Sequence, residues 1–232
     1  MNINSLEGSL TFVDPLSIWF APYPVSPSRE PHLYRSLDGG GTWQAQDIHA
    51  PDGTDPSSVS LTDSAQPEYP VETPRFFNDR EGVVELTARP VSVPGGSGAS
   101  EAKYVITTRD SGDHWSKPIQ VSNQVGSVAV DYLDVYHWIE WTSNGEWLRT
   151  NDSGQHWEVI PNGEHPLPRV QPYCGMPPCS PSPPGSFHFA TASLGLAWLS
   201  ESSSGGSPGT ALYETTDGGM NWTPLGLPDL AQ

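Results

Sequence analysis

Carboxylates are the most numerous ionisable groups in this sequence, and one pair of them could in principle hydrolyse a sugar. Glu68 and Glu72 lie in the stretch 61–75, with Tyr69 between them. Glycoside hydrolysis needs two carboxyl groups at a fixed separation, one on each side of the scissile bond. Because the chain holds 27 acidic residues, such a pair arises easily by chance, and surface charge is the interpretation we favour.

The sequence gives less support to a metal site or to a catalytic nucleophile. The seven histidines show no HExxH or other paired-ligand spacing. His114 and His156 each precede a tryptophan in a turn motif, and His188 lies on a predicted inner strand in a core or channel position. No glycine-rich phosphate loop or nucleophile elbow is present. We therefore predict no metal site, no catalytic residues and no cofactor.

The two cysteines share one loop. Cys174 and Cys179 lie in PYCGMPPCSPSPP, directly after Tyr173. A disulfide that stiffens this loop is the favoured interpretation, with free thiols and a metal as alternatives; a single close pair without a second Cys/His pair makes a poor zinc site. A disulfide would imply an oxidising compartment.

The net charge limits the partners. Ten basic and 27 acidic residues give −17, a field that repels nucleic acid and anionic membranes. No apolar run reaches the ~18 residues of a membrane span, and the N-terminal segment has no signal-peptide pattern. Its abrupt entry into a strand favours a fragment boundary at Met1. We expect an extracellular or cell-envelope protein, secreted and bacterial.

Internal repetition is the strongest signal in the chain. Four octapeptides share the pattern Ser/Thr-x-Asp-x-Gly-x-x-Trp: SLDGGGTW (36–43), TRDSGDHW (108–115), TNDSGQHW (150–157) and TTDGGMNW (215–222). About 0.01 chance matches are expected from this composition, so the repeat is real. Each motif is typical of a polar turn between two strands of a turn-rich β fold.

Each position that recurs in the four octapeptides has a physical role. The aspartate accepts hydrogen bonds from the N–H groups of the turn, the glycine supplies a positive φ, and the tryptophan folds back over the turn and buries its ring. The aspartates are Asp38, Asp110, Asp152 and Asp217. The glycines are Gly40, Gly112, Gly154 and Gly219. The tryptophans are Trp43, Trp115, Trp157 and Trp222.

The octapeptides resemble the Asp boxes, or BNR repeats, of the sialidase superfamily. In that family each box joins the third and fourth strands of a β-propeller blade. Matching flanks occur here: a strand before each box (32–36, 103–108, 146–150 and 211–215) and a strand pair before that (9–21, 73–87, 127–141 and 186–200). The expected fold is all-β, one propeller domain over 1–232 with four-stranded antiparallel blades at about 9–46, 73–121, 127–160 and 186–226. The four visible blades either close alone or belong to a larger propeller, with further blades from this or another chain.

Loop lengths orient the predicted blades. The A–B turns and the boxes are short and share one end of each blade, whereas the long B–C and D–A connections share the other. Asp131 and Asp134 flank one A–B turn, and we expect them to stabilise it. Binding residues concentrate on loops held by a rigid scaffold. The candidate ligand-binding residues at the long-loop end are Glu68, Tyr69, Glu72, Arg75, Arg89 and Tyr173.

The resemblance also implies a test for sialidase activity. The family holds its substrate carboxylate with three arginines and carries an Arg-Ile-Pro type motif near the N-terminus, which is absent here. Arg35, Arg109 and Arg149 lie at or beside boxes, and Arg80 lies in an A–B turn at the same end. The remaining arginines, whose spacing supports no triad, are Arg29, Arg75, Arg89 and Arg169.

Intact boxes without the sialidase motifs favour a non-catalytic binding or scaffold propeller, whose ligand is a protein or a carbohydrate. The alternative is a sialidase-like glycoside hydrolase or a carbohydrate-binding propeller. Enzymatic activity is left open by the sequence, with the balance against it.

Overall fold

The computed structural model shows a chain built from antiparallel β-sheet. It describes residues 8–22, 32–55, 58–59, 61, 73–88, 102–121, 129–142, 145–168, 186–201 and 209–226. The strands of these ranges form four four-stranded sheets, each in simple up-and-down order. The predicted fold class, all-β with four-stranded antiparallel blades, is confirmed.

The chain divides into two compact units, Met1–Val125 and Gly126–Gln232. The first unit holds blade 1 and blade 2. Blade 1 consists of β1 (Gly8–Phe12), β2 (Ile18–Pro22), β3 (His32–Ser36) and β4 (Gln44–Asp47). Blade 2 consists of β5 (Arg75–Phe76), β6 (Gly82–Ala88), β7 (Ala102–Thr108) and β8 (Ile119–Gln120).

The second unit holds blade 3 and blade 4. Blade 3 consists of β9 (Ala129–Tyr132), β10 (Trp138–Trp141), β11 (Trp147–Thr150) and β12 (Glu158–Val159). Blade 4 consists of β13 (Ser186–Phe189), β14 (Gly195–Glu201), β15 (Gly209–Thr215) and β16 (Thr223–Leu225). A single domain over the whole chain stays a prediction.

Each unit has its own apolar core, made where two blades meet face to face. In the first unit Trp19 and Leu33 of blade 1 pack with Leu86 and Ile106 of blade 2. In the second unit the corresponding core is richer in aromatic rings. Its members from both blades include Trp141, Trp147, Phe189, Leu199 and Trp222. The alternation of side chains along paired strands sends every second residue into these cores.

The connections differ sharply between the two ends of the blades. The A–B turns span 13–17, 77–81, 133–137 and 190–194, and the boxes follow the third strands at the same end. At the other end the chain needs 23–31, 89–101 and 202–208 between second and third strands. It also needs 48–74 and 160–185 between blades. We call these the box end and the loop end.

Candidate functional site

The box end is held together by the aspartates, which bond to their own turns. In every box one carboxylate oxygen accepts the backbone N–H four residues later and the hydroxyl of the first box residue. These carboxylates belong to Asp38, Asp110, Asp152 and Asp217. Each hydroxyl in turn accepts the N–H of the box glycine. The polar groups of the turn are thereby paired with one another.

The position before each tryptophan is a second determinant, which the sequence pattern left unassigned. Its side chain contacts the other oxygen of the box aspartate at 2.7–2.8 Å in three boxes and as a short His–Asp contact in the remaining one. The four residues are Thr42, His114, His156 and Asn221. All four side chains can donate a hydrogen bond. The sequence alone could have shown that this position requires a hydrogen-bond donor, since all four boxes have one there.

The hydrogen bonds lower the pKa values of the box carboxyl groups. Bonds from the backbone and hydroxyl of Thr42 hold the pKa of Asp38 at about 2, and bonds from His156 do the same for Asp152. Burial raises the pKa of Asp110, but bonds from His114 outweigh it and the net shift is downward. The same contact with Asp110 raises the pKa of the His114 imidazole. These aspartates are therefore anions at neutral pH.

Two consecutive residues of each box adopt positive φ. The box glycines, for example Gly40 at 94° and Gly112 at 86°, follow a residue that is also left-handed. In two boxes that residue is a serine, Ser111 or Ser153. Their hydroxyls donate to carbonyl groups of the A–B turn of the same blade. The serine side chains therefore tie the box to its neighbouring turn.

The same link is made by backbone in all four blades. The N–H of the first left-handed residue donates to a carbonyl of the A–B turn, over 2.8–3.0 Å. The donors are Gly39, Ser111, Ser153 and Gly218, and the acceptors are Leu16, Arg80, Tyr136 and Ser193. The A–B turns are themselves stabilised by side-chain oxygens that accept N–H groups two and three residues later. These oxygens belong to Asp14, Asn78, Asp134 and Thr191.

The box tryptophans differ in burial. Trp222 is 3% exposed, and its indole N–H donates to the carbonyl of Gly219 over 2.9 Å. Trp43 makes the same bond to Gly40 at 3.0 Å but is half-buried, as are Trp115 and Trp157. The ring is therefore almost completely buried in one box and partly buried in the other three.

One polar residue crosses between blades in a way that the sequence did not suggest. Asp131, expected to stabilise the A–B turn beside it, is 4% exposed and accepts the backbone N–H of Phe189 in blade 4. Its carboxylate also lies 3.1 Å from Nδ1 of His188. The turn itself is served by Asp134. Asp131 therefore joins the first strands of blades 3 and 4.

The first unit has an equivalent polar link. Arg35 of blade 1 is buried under the Trp19 ring, with its guanidinium carbon 5.4 Å from the ring centroid. The same guanidinium pairs with Asp113, in the box of blade 2. The hydroxyl of Thr11, on the first strand of blade 1, donates over 2.7 Å to the hydroxyl of Thr73, which lies two residues before the first strand of blade 2. Arg35 therefore serves the packing of blades and is unavailable for a ligand.

The predicted ligand-binding set is only partly visible. Arg75 is the first residue of β5; its side chain is exposed, and its guanidinium carbon lies 5.5 Å from the Phe77 ring centroid. The other members lie outside the described residues: Glu68, Tyr69, Glu72, Arg89 and Tyr173. The same holds for Cys174 and Cys179, so the disulfide stays a prediction.

Blade 4 carries a shallow apolar groove on the side turned away from blade 3. Its volume is about 370 Å³, and its walls are Ser186, Phe187, His188, Leu196, Trp198 and Leu212. Within the described part of the chain, no three His, Cys, Asp or Glu side chains converge as a metal site would require. No described helix is long and apolar enough to span a membrane.

Comparisons with known proteins bear on the fold. No protein-family model and no curated protein matches the chain. Among solved structures, an ulvan lyase of polysaccharide lyase family PL25 aligns with a TM-score of 0.53 and 12% identity, over 93% of this chain and 54% of the lyase. The lyase has also been solved bound to -[GlcA(1-4)Rha3S]-. This chain therefore spans about half the length of the lyase.

Two further structures align less closely. YCF48 bound to D1 peptide gives a TM-score of 0.36 and 14% identity, over 94% of this chain and 80% of YCF48. The Trypanosoma rangeli sialidase gives 0.45 and 11%, over 93% of this chain and 37% of the sialidase. At these identities and TM-scores the two structures are reported as similarities of fold only.

Proposed function

We propose that this chain is a non-catalytic binding propeller that presents its ligand surface at the loop end. The observation that carries the proposal is the difference between the two ends of the blades, although the connection between the second and third strands of blade 3, residues 142–146, is short. At the box end, short turns use their polar side chains to bond one another. The long connections all lie at the loop end.

The box end is poorly suited to acid–base catalysis. A general acid at neutral pH needs a carboxyl group whose pKa is raised toward neutrality. The pKa of Asp38 and that of Asp152 are instead about 2, and the pKa of Asp134 in an A–B turn is also lowered. Each of these carboxylates already accepts hydrogen bonds from its own turn. Moving one of them to serve a substrate would unpair the turn.

The loop end has long connections, which the box end lacks. Ligand sites are commonly built on loops that a rigid scaffold positions, and long connections inside a compact fold are usually functional or mere linkers. The stretch 61–75 and the loop around Cys174 combine aromatic and charged residues. They support a binding role better than the Gly/Ser-rich segments 95–100 and 202–209.

The net charge limits the classes of ligand that we propose. A chain of −17 repels polyanions over the Debye length, about 8–10 Å at physiological salt. The proposed ligand is therefore a neutral or cationic protein surface or peptide, and a neutral glycan is the carbohydrate alternative. A sulfated polymer of the kind seen with the lyase is disfavoured for this chain.

A binding screen with paired variants tests the proposal. The chain is presented with a library of cationic and neutral peptides and with a panel of neutral glycans, in parallel with its Tyr69→Ala and Tyr136→Ala variants. Tyr136 is the matched control, since it is a tyrosine exposed in an A–B turn at the box end. We expect Tyr69→Ala to weaken binding of a captured ligand roughly tenfold or more, as loss of an interface aromatic does, and Tyr136→Ala to leave it unchanged.

Two results would contradict the proposal. One is a ligand whose affinity falls with Tyr136→Ala and not with Tyr69→Ala, which would move the site to the box end. The other is turnover of a chromogenic glycoside that is lost in Glu68→Gln or Glu72→Gln, which would establish the hydrolase instead.

The proposal includes an extracellular or cell-envelope location. A disulfide between Cys174 and Cys179 is its chemical consequence. Mass spectrometry of the natively expressed chain, alkylated before and after reduction, reports it directly. Two alkylated thiols before reduction would refute this part of the proposal.

A further inference from the structure

Blade 4 has a sheet face on which apolar and polar side chains lie side by side. Alternate residues of β14 point to opposite sides of the sheet. Ala197 and Leu199 are buried in the core shared with blade 3. On the other side Leu196 is 42% exposed and Trp198 is half-buried, and both are walls of the groove of about 370 Å³. All of the wall residues lie on β13, β14 and β15, so blade 4 forms this groove by itself.

The strand register surrounds Trp198 with polar neighbours. Trp198 pairs with Ser186 on β13 and with Leu212 on β15. His188 and Glu214 come two residues later on these same two strands and point to the same side of the sheet. Diagonal neighbours on adjacent strands are about 7–8 Å apart, within reach of aromatic and long side chains. An imidazole and a carboxylate therefore flank the Trp198 ring, one on each side.

Both flanking groups can accept hydrogen bonds from a ligand. The Glu214 side chain is half-buried, and it forms no ion pair with another described residue. His188 is oriented by the buried Asp131, whose carboxylate lies 3.1 Å from Nδ1 of the imidazole. An ionised carboxylate only accepts hydrogen bonds, so Nδ1 carries the hydrogen and Nε2 of the neutral ring is the acceptor that remains. The pair favours a ligand that donates hydrogen bonds.

The charge of this part of the sequence also favours a cation. All ten lysine and arginine residues of the chain come before residue 170. Between residues 186 and 225 the acidic residues are Glu201, Glu214 and Asp217, and the one histidine is His188. Asp217 is bonded within its own box. No lysine or arginine of blade 4 can neutralise Glu214, whereas a cationic ligand can.

We propose that this groove binds an arginine side chain of a cationic peptide. The guanidinium group lies on the Trp198 ring as a cation–π contact and donates hydrogen bonds to the Glu214 carboxylate. The aliphatic part of the arginine covers Leu196 and Leu212. The site uses one face of one sheet and none of the loop-end candidates, so it does not depend on the proposed loop-end surface.

The same combination of groups occurs inside the chain. In the first unit the guanidinium carbon of Arg35 lies 5.4 Å from the Trp19 ring centroid, and the same guanidinium pairs with Asp113. The planar guanidinium group can stack on an aromatic ring while its N–H groups bind a carboxylate, whereas the ammonium group of lysine is a compact point charge. Blade 4 supplies the ring and the carboxylate of this arrangement, and the peptide supplies the arginine.

An NMR titration of the full chain tests the proposal. The probe is the capped peptide acetyl-Gly-Arg-Gly-Leu-Gly-amide, in which the leucine can point to the same side as the arginine when the peptide is extended. We expect shifts of the Trp198 indole N–H and a Kd on the order of 1 mM, since one cation–π contact and one partly exposed ion pair give weak binding. A control peptide with citrulline in place of arginine keeps the shape and loses the charge. It should bind about fivefold more weakly or worse.

Variants of the ring and of the carboxylate separate their contributions. Trp198→Leu should weaken binding about fivefold or more, and Trp198→Phe, which keeps an aromatic face, should retain most of it. Glu214→Gln should weaken binding about threefold and reduce its dependence on salt. The matched control is Glu158→Gln on blade 3, an exposed carboxylate whose charge is already paired with Arg149. It should bind the peptide as the parent chain does.

The outcomes that would overturn the site are specific. Circular dichroism shows whether each variant keeps its fold, and if Trp198→Leu does not, Glu214→Gln and the citrulline peptide still decide. Equal affinity for the arginine and citrulline peptides, a Trp198 indole that does not respond, or parent-like binding by Glu214→Gln would each refute the proposal. Binding lost in Tyr69→Ala and kept in Trp198→Leu would refute it too, while supporting the loop-end surface.

Discussion

Replacing Trp222 by alanine is the most informative single perturbation of this fold. Trp222 is the only box tryptophan of the described blades that is almost fully buried, at 3% exposure. It stacks on Trp147 of blade 3 with ring centroids 5.5 Å apart and meets Phe189 edge-on at 5.9 Å. Its indole N–H is bonded to the Gly219 carbonyl. The substitution removes a ring, two aromatic contacts and a hydrogen bond together.

The expected cost follows from these contacts. A buried tryptophan hides roughly 150–250 Å², which at about 25 cal/mol per Å² gives an upper estimate of about 4–6 kcal/mol. Core Phe or Trp to Ala substitutions cost about 3–5 kcal/mol. We therefore expect Trp222→Ala to lower the free energy of unfolding of the second unit by about 3–5 kcal/mol. Trp157→Ala, which removes a half-buried ring, should cost about half of that by the same area argument.

Urea unfolding followed by far-UV circular dichroism measures both costs. Trp222→Phe is the control that keeps an aromatic ring and loses the N–H, and we expect a loss of about 1–2 kcal/mol from the missing bond and the smaller ring. A double substitution with Trp147→Ala should cost less than the sum of the single ones, because the two rings share a contact. Equal costs for Trp222→Ala and Trp157→Ala, or strict additivity with Trp147→Ala, would refute the reasoning.

Three further predictions concern a glycine and two carboxylates. Gly112→Ala places a methyl group 2.3 Å from the Trp19 ring at a φ of 86°, whereas Gly53→Ala meets nothing within 4 Å at a φ of 77°. In urea unfolding, Gly53→Ala should lower the free energy of unfolding by about 1–2 kcal/mol, and Gly112→Ala by about 1–3 kcal/mol more. Equal costs would show that the Trp19 ring moves aside without loss of stability. Asp38 has a folded pKa of about 2 against an ordinary 3.8, so its stabilisation is fully present above pH 3.8 and is lost as the pH falls toward 2; the acid unfolding curve of Asp38→Asn should lack this component, and superimposable pH dependences would contradict it. Asp131→Ala leaves a buried amide of blade 4 without its acceptor and should cost the second unit about 1–3 kcal/mol; an unfolding midpoint equal to that of the parent chain would exclude the link between blades.

The sequence predicted the strands well because their signals are local. The third strand of blade 1 was expected at 32–36 and is β3, His32–Ser36. The box that follows it fixes where the strand ends, since Asp38 and its hydroxyl partner Ser36 must reach the turn amides. An outer strand such as β12, only Glu158–Val159, has no comparable signal, and its length depends on how far it can pair with its neighbour.

The sequence could assign the candidate site to one end of the blades, but it could not assign roles to individual residues. Loop lengths depend on strand bounds, so the asymmetry of the connections followed from the sequence once the boxes were found. The roles of individual side chains did not follow. Asp131 sits next to an A–B turn in sequence, but its carboxylate points across to Phe189 of the next blade. Nothing in the local spacing distinguishes it from Asp134, which does serve the turn.

The sequence by itself determined the repeating turn, because the bonds that the box aspartate and the first hydroxyl make join residues at most four positions apart and depend on local geometry. Contacts between blades were decided by the tertiary structure. Register alone puts Trp19 on one side of its sheet and Phe12 on the other; only the folded chain shows that Trp19 is buried against blade 2 while Phe12 is exposed. Burial depends on what lies opposite a face, and residues far apart in the sequence supply that.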